Sequence, residues 1–131
     1  MLLSPKTCFL IDDDQDDQDI FCMALDDLGE DISCVFANDG REGFMKLNTD
    51  ALFEPNYIFI DLNMPRMNGL QCLTAIKSID RLKKVPIFMY STSNDPKIIT
   101  ETKLLGASDY IVKPISVDTL TDILRQCFNR F

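Results

Sequence analysis

Residues 57–69 read Tyr57-Ile58-Phe59-Ile60-Asp61-Leu62-Asn63-Met64-Pro65-Arg66-Met67-Asn68-Gly69. The first four are apolar, aromatic or β-branched, and no polar residue interrupts them. That is the pattern of a short strand buried on both faces, as strands of a parallel sheet are. Asp61 follows at once, at the carboxyl end of the strand, where open α/β sheets build their sites.

Working outward, the same pattern recurs. Cys8-Phe9-Leu10-Ile11 is a first strand, Ile32 to Ala37 a second, Ile87-Phe88-Met89-Tyr90 a fourth behind Pro86, and Tyr110-Ile111-Val112 a fifth. Between them lie amphipathic stretches. Ile20, Phe21, Ala24, Leu25 and Leu28 predict a helix over 16–28 that Gly29 stops. A short helix follows near 40–48, with Phe44 and Leu47 inward, and Leu70, Leu73, Ile76 and Ile79 mark a third. Asp95-Pro96 caps and opens a fourth helix, ended by Gly106, and Ser116 caps a fifth carrying Val117, Leu120, Leu124 and Cys127 on one face. The strand ends at 11, 37, 60, 90 and 112 are about 22 to 30 residues apart, room for a crossover helix each time. The expectation is (βα)5; an α+β domain with some antiparallel strands is the alternative.

The chain has 131 residues, 46% hydrophobic and 26% charged, which suits one ordinary domain over 1–131. Thirteen Lys and Arg face 21 Asp and Glu, a net charge of −8. Such a surface repels phosphate backbones and anionic lipid, so neither direct nucleic-acid nor membrane binding is expected. No apolar run approaches the roughly 20 residues of a spanning helix, and the opening Met-Leu-Leu-Ser-Pro-Lys is too short for a secretory signal. Cys8, Cys22, Cys34, Cys72 and Cys127 are odd in number, widely spaced and without a Cys-x-x-Cys pair, which reads as reduced, buried thiols in the cytoplasm. The chain has no histidine. That excludes Ser-His-Asp and Cys-His catalysis, histidine metal ligands and a phosphohistidine of its own.

At the carboxyl edge the first strand delivers Asp12, Asp13 and Asp14, the third Asp61, the fourth Ser91 and Thr92, and the fifth Lys113. Any one of these is an ordinary polar residue after a strand. Together, on four strands, they are a set. Clustered carboxylates repel and persist where a cation neutralises them, and all-oxygen ligands suit a hard ion such as Mg²⁺. A metal beside a carboxylate, a lysine and a hydroxyl is a phosphoryl-transfer constellation.

The acidic pair Asp12-Asp13, the Asp61-to-Gly69 motif, Ser91 and Lys113-Pro114 closely resemble the receiver (phosphoacceptor) domain of two-component response regulators, of the single-domain CheY-like type. The resemblance covers about 6–130. It implies a flavodoxin-like, doubly wound parallel sheet of order 2-1-3-4-5 and no effector domain. It implies Asp61 as phosphoacceptor, and Mg²⁺ (or Mn²⁺) held by Asp13, Asp61 and the Asn63 backbone carbonyl, with Asp12 acting through water. Ser91, the Thr92 backbone and Lys113 would bind the phosphoryl group. Ser91 and Tyr110 would form the switch, Gly69 would be structural, and Pro114 would follow a cis peptide that places Lys113. The implied partners are a sensor histidine kinase or histidine phosphotransfer protein and a downstream protein docking on 95–130. Ser91 stands where the family usually has Thr, and Thr92 where many relatives have Ala or Gly.

Ten of the 21 acids fall within 12–31, with no Lys or Arg between Lys6 and Arg41. They read as a solvated helix face, or as electrostatic guidance for a basic partner. Asp14 reads as a cap or a solvent-facing acid. An EF-hand starting at Asp12 fails, because its sixth position is Asp17 and its twelfth Met23. A haloacid-dehalogenase-type phosphatase using Asp12 and Asp14 with Ser91 and Lys113 lacks the downstream acidic pair and leaves Asp61 unexplained. A scaffold that binds partners without phosphorylation does not account for Asp13, Asp61 and Lys113 together.

Overall fold

Each apolar run is a strand in the computed structural model, which describes residues 5–131. The start of the opening stretch, 1–4, lies outside the described residues. Strands β1 (Lys6–Ile11), β2 (Ile32–Ala37), β3 (Tyr57–Ile60), β4 (Ile87–Ser91) and β5 (Asp109–Val112) pair in parallel in the order β2-β1-β3-β4-β5. Helices α1 (Gln15–Asp27), α2 (Gly40–Thr49), α3 (Gly69–Lys77), α4 (Pro96–Leu104) and α5 (Val117–Arg130) form the crossovers. This is the (βα)5 doubly wound, flavodoxin-like fold expected, with every pair parallel. β1 begins two residues before its apolar run because Lys6 and Thr7 still pair with Ile32 and Ser33.

Alternation along the strands splits the core into two layers. Phe9, Ile11, Ile58, Ile60, Ile87 and Met89 face α2 and α3 through Leu47, Cys72, Leu73 and Ile76. Cys8, Leu10, Phe59, Phe88 and Tyr90 face α1 and α5 through Phe21, Leu25, Leu120 and Leu124. In the second layer Phe21 meets Phe59 edge-on at 4.9 Å, within the range that favours aromatic pairs. Among the described residues no helix is long and apolar enough to cross a membrane.

All five α-helices carry a side-chain N-cap: Asp14, Asp39, Asn68, Asp95 and Ser116. Asp14 accepts from the Asp16 and Asp17 amides, which settles its role as a cap. Asn68 forms a reciprocal capping box with Gln71. The turn of 3-10 helix at Asp80–Leu82 escaped the sequence reading. Its Arg81 donates to the Leu47, Asp50 and Phe53 carbonyls and so ties off the end of α2.

The five cysteines are free, but only three are buried; Cys34 is half-buried and Cys22 exposed, which corrects the expectation of uniform burial. Cys22 lies on α1 outside its buried stripe of Gln18, Phe21, Ala24 and Leu25. Burial pushes the Cys72 and Cys127 thiols up to about 12 and about 11, which keeps them unreactive.

Gly69 begins α3 against the end of β3. Its amide donates to the Leu62 carbonyl at 2.8 Å, and a Cβ there would come within 2.7 Å of the Leu62 Cα and against the Asp61 carbonyl. The obstacle is backbone, which cannot rotate away. Gly69→Ala is expected to cost about 1–3 kcal/mol in urea unfolding; an unchanged midpoint would show that this contact yields.

Candidate functional site

The parallel register sets the site. Ile11 of β1 lies beside Ile60 of β3, so the residues that follow, Asp12 and Asp61, emerge next to one another. The Asp61 amide donates to the Ile11 carbonyl at 2.9 Å, and the Asp12 amide to the Ala37 carbonyl at 3.0 Å. Ser91 ends β4, and its carbonyl accepts from the Lys113 amide at 2.8 Å. The fold thereby brings Asp12, Asp13, Asp61, Ser91 and Lys113 to one edge, as expected.

Asp12, Asp13 and Asp61 each offer a carboxylate oxygen within 4.8 Å of the others. Asp12 and Asp61 are buried, and Asp13 is exposed. Asp12 Oδ1 accepts from the Asp14 amide at 2.9 Å, whereas Oδ2 is buried without a hydrogen bond. Lys113 Nζ forms an ion pair with that Oδ2 at 3.0 Å and lies 3.5 Å from Asp61 Oδ1. Three carboxylates gathered within 4.8 Å with a single ammonium beside two of them are an all-oxygen donor set short of positive charge, so these residues fit Mg²⁺ or Mn²⁺.

Lys113 makes its shortest contact elsewhere. Nζ donates to Asp17 Oδ2 at 2.6 Å, from the first turn of α1. The ammonium also sits 5.1 Å from the Tyr90 ring centroid, over a cation–π face. The resemblance placed Lys113 by a cis peptide to Pro114. That expectation is corrected: every described peptide bond is trans. Trans is the cheaper isomer by about 0.5–1 kcal/mol even before proline. Strand pairing to Ser91 and the surrounding carboxylates locate the lysine without it.

Several residues around the site escaped the sequence reading. Asp17 was hidden as one of the ten acids within 12–31, and nothing in its spacing set it apart from Asp16. Gln18 is buried and donates through Nε2 to the Asp12 carbonyl at 2.8 Å and to Asn38 Oδ1 at 3.0 Å. Ser93 links two expected residues. Its amide donates to Ser91 Oγ at 3.2 Å, and its carbonyl accepts from the Tyr110 hydroxyl at 2.8 Å. Asn63 and Thr92 are exposed beside Asp61 and Ser91. Asp14 is turned to the α1 amides, which removes it from partnership with Asp12 and with it the Asp12/Asp14 phosphatase pair.

Charge at this edge is unbalanced. Burial pushes Asp61 up to about 6; the Lys113 charge opposes this, and the Asp12 charge adds to it. Asp12 is raised as well, again chiefly by burial. For Lys113 burial disfavours the ammonium, but the hydrogen bond to Asp17 and the charges of Asp12 and Asp61 outweigh it, so its pKa rises.

Comparison with known proteins agrees with this geometry. The family model described as the response regulator receiver domain matches residues 8–125. Chemotaxis protein CheY1 of Helicobacter pylori is 32% identical over 116 residues, covering 88% of this chain and 90% of that protein. The transcriptional regulatory protein CrdR of the same species is 30% identical over 124 residues, covering 95% of this chain; the chain spans 55% of CrdR's length. The crystal structure of the phosphorylated cyanobacterial phytochrome response regulator RcpA superposes with a TM-score of 0.85 at 28% identity, covering 95% and 91% of the two chains.

The Asp61 shift has a measurable sign. Between the ordinary carboxylate value and about 6, the folded chain holds a proton at Asp61 that the unfolded chain has released. Stability from this group is therefore present at low pH and lost as pH rises through that window. Without divalent metal, Asp61→Asn is expected to be more stable than wild type at pH 7 by about 1–2 kcal/mol. The difference should vanish near pH 4. Chemical unfolding at both pH values checks this; equal stabilities at pH 7 would place the charge strain elsewhere.

Proposed function

From the premise that this chain belongs to the response regulator receiver domain family, we propose that it is a phosphorylation switch whose acceptor is Asp61. The observation that carries the reading is the convergence of Asp12, Asp13 and Asp61 at the carboxyl edge of the sheet, with Lys113 beside Asp12 and Asp61. The donor is a phosphohistidine on a sensor histidine kinase or a histidine phosphotransfer protein, because the chain has no histidine to supply one.

An Asp61 oxygen attacks phosphorus in line; the new P–O bond forms as the P–N bond breaks, and the departing imidazole keeps the electron pair. Asp61 has to be ionised for this, and the Lys113 charge favours that form. Asp13, Asp61 and the Asn63 carbonyl would hold Mg²⁺ or Mn²⁺, with Asp12 acting through water, and the ion would supply neutralisation of charge on the phosphoryl oxygens. Lys113, the Ser91 hydroxyl and the Thr92 amide bind those oxygens. The only chemistry is on the chain's own aspartate, its phosphorylation and the slower hydrolysis, so the protein is a switch rather than a metabolic enzyme. It works in the cytoplasm, where phosphohistidine donors and reduced thiols coexist.

Output runs to a protein partner on 95–130. Ser91 Oγ is tied to the Ser93 amide and Tyr110 to the Ser93 carbonyl, so a phosphoryl group that recruits Ser91 disturbs the anchor of Tyr110. Leu104 and Leu105, exposed at the end of α4, are candidates for partner contact.

Incubation with acetyl phosphate and Mg²⁺, followed by borohydride reduction and peptide mapping, should place the label on Asp61 alone. Asp61→Asn should take up none. Labelling of Asp12 would overturn the assignment, and absence of any label would favour a non-phosphorylated scaffold.

Hydrogen exchange with and without beryllofluoride and Mg²⁺ should change protection within 95–130. Changes confined to 12–50 would send the signal through another face.

A further inference from the structure

We infer that Asp17 is a resting-state counter-ion for Lys113, which a phosphoryl group on Asp61 must displace. This rests on the phosphoacceptor reading of Asp61 and adds a residue to it. Nζ is 2.6 Å from Asp17 Oδ2, 3.0 Å from Asp12 Oδ2 and 3.5 Å from Asp61 Oδ1. At rest the ammonium is thus committed on the α1 side, and its weakest partner is the residue it has to serve.

The three acids are not equally able to release the lysine. Asp12 is fully buried, so abandoning its Oδ2 would leave a charge without compensation. The Asp17 side chain is 27% exposed at the start of a helix, so water can replace the ammonium there. A lysine has three N–H donors on one centre. When Asp61 carries additional anionic oxygens, Nζ is drawn toward them from its 3.5 Å contact, and the partner it can leave at least cost is Asp17. Asp17 therefore opposes phosphoryl binding twice, by holding the cation and by adding negative charge beside an incoming anion. It is a positioning residue, acting through Lys113.

The test uses beryllofluoride with saturating Mg²⁺ as the phosphoryl probe, followed by amide shifts in NMR. Asp17→Asn keeps the side-chain shape and removes the charge. It should bind beryllofluoride roughly three- to tenfold more tightly than wild type. Asp17→Glu, which restores a carboxylate, should return the affinity towards the wild-type value. A readout that needs no variant is the Asp17 side-chain carboxyl carbon in unmodified protein: its resonance should move on beryllofluoride binding while that of Asp16 stays. Unchanged or weaker binding by Asp17→Asn, with a silent Asp17 carboxyl, would overturn the inference and leave Asp61 as acceptor. Failure of wild type itself to bind beryllofluoride would overturn the acceptor reading, and this inference with it.

Discussion

Two carboxylates buried side by side at the end of adjacent parallel strands are the constraint on which this molecule turns. Asp12 and Asp61 would move apart in water. Here the β1–β3 register holds them together, with the Asp61 amide hydrogen-bonded to Ile11. That register is secured by a core in which Phe9, Ile11, Ile58 and Ile60 are wholly buried. Apolar burial is worth roughly 1.5–3 kcal/mol for each large side chain. A few such residues outweigh the cost of keeping two raised carboxylates in place. The fold supplies the energy, and the edge of the sheet stores part of it as charge strain.

The local devices around the edge are too weak to relieve that strain. The positive end of α1 favours nearby acids by about 0.3–1 kcal/mol. Lys113 provides one positive charge against Asp12, Asp13, Asp17 and Asp61, and Asp61 still sits near 6. The imbalance that remains is what a divalent cation answers. In receiver domains an Asp12/Asp13/Asp61-type cluster is the divalent-metal site, so the same feature that costs stability in the bare chain provides its affinity for the ion.

Most of the fold was legible because strands buried on both faces leave short apolar runs without a polar break. Tyr57-Ile58-Phe59-Ile60 alternates between the two core layers, and the spacing to its neighbours left room for crossover helices. Asp61, Asp13 and Lys113 were legible for a related reason: a strand end in a parallel sheet specifies where the next side chain goes. What was not legible depended on rotamers and on surplus. Asp17 looked like one more solvated acid in a run of them, and only the reach of Lys113 across to α1 distinguishes it from Asp16 and Asp19. Gln18 and Ser93 act through hydrogen bonds to backbone, which no residue spacing announces. The peptide before Pro114 is trans where the motif implies cis, and pairing with Ser91 and the carboxylates locate the lysine.

In the proposed switch, the position of Ser91 is what would let the site signal and not merely bind. Ser91 is fully buried at the end of β4, at the same edge of the sheet as Asp61. At rest that hydroxyl accepts from the Ser93 amide, and the other side of the Ser93 peptide accepts from Tyr110. A ligand shifts an equilibrium only by as much as it distinguishes the two states. On the proposed reading an anion that draws in Ser91 and the Lys113 ammonium makes that distinction, because Lys113 is held by Asp17 in its absence and a shift of Ser91 Oγ strains the bond it accepts from Ser93. On that reading both groups lie at the ends of β4 and β5, and the Ser91–Ser93–Tyr110 chain leads from them toward α4, of whose residues only Thr102 is buried.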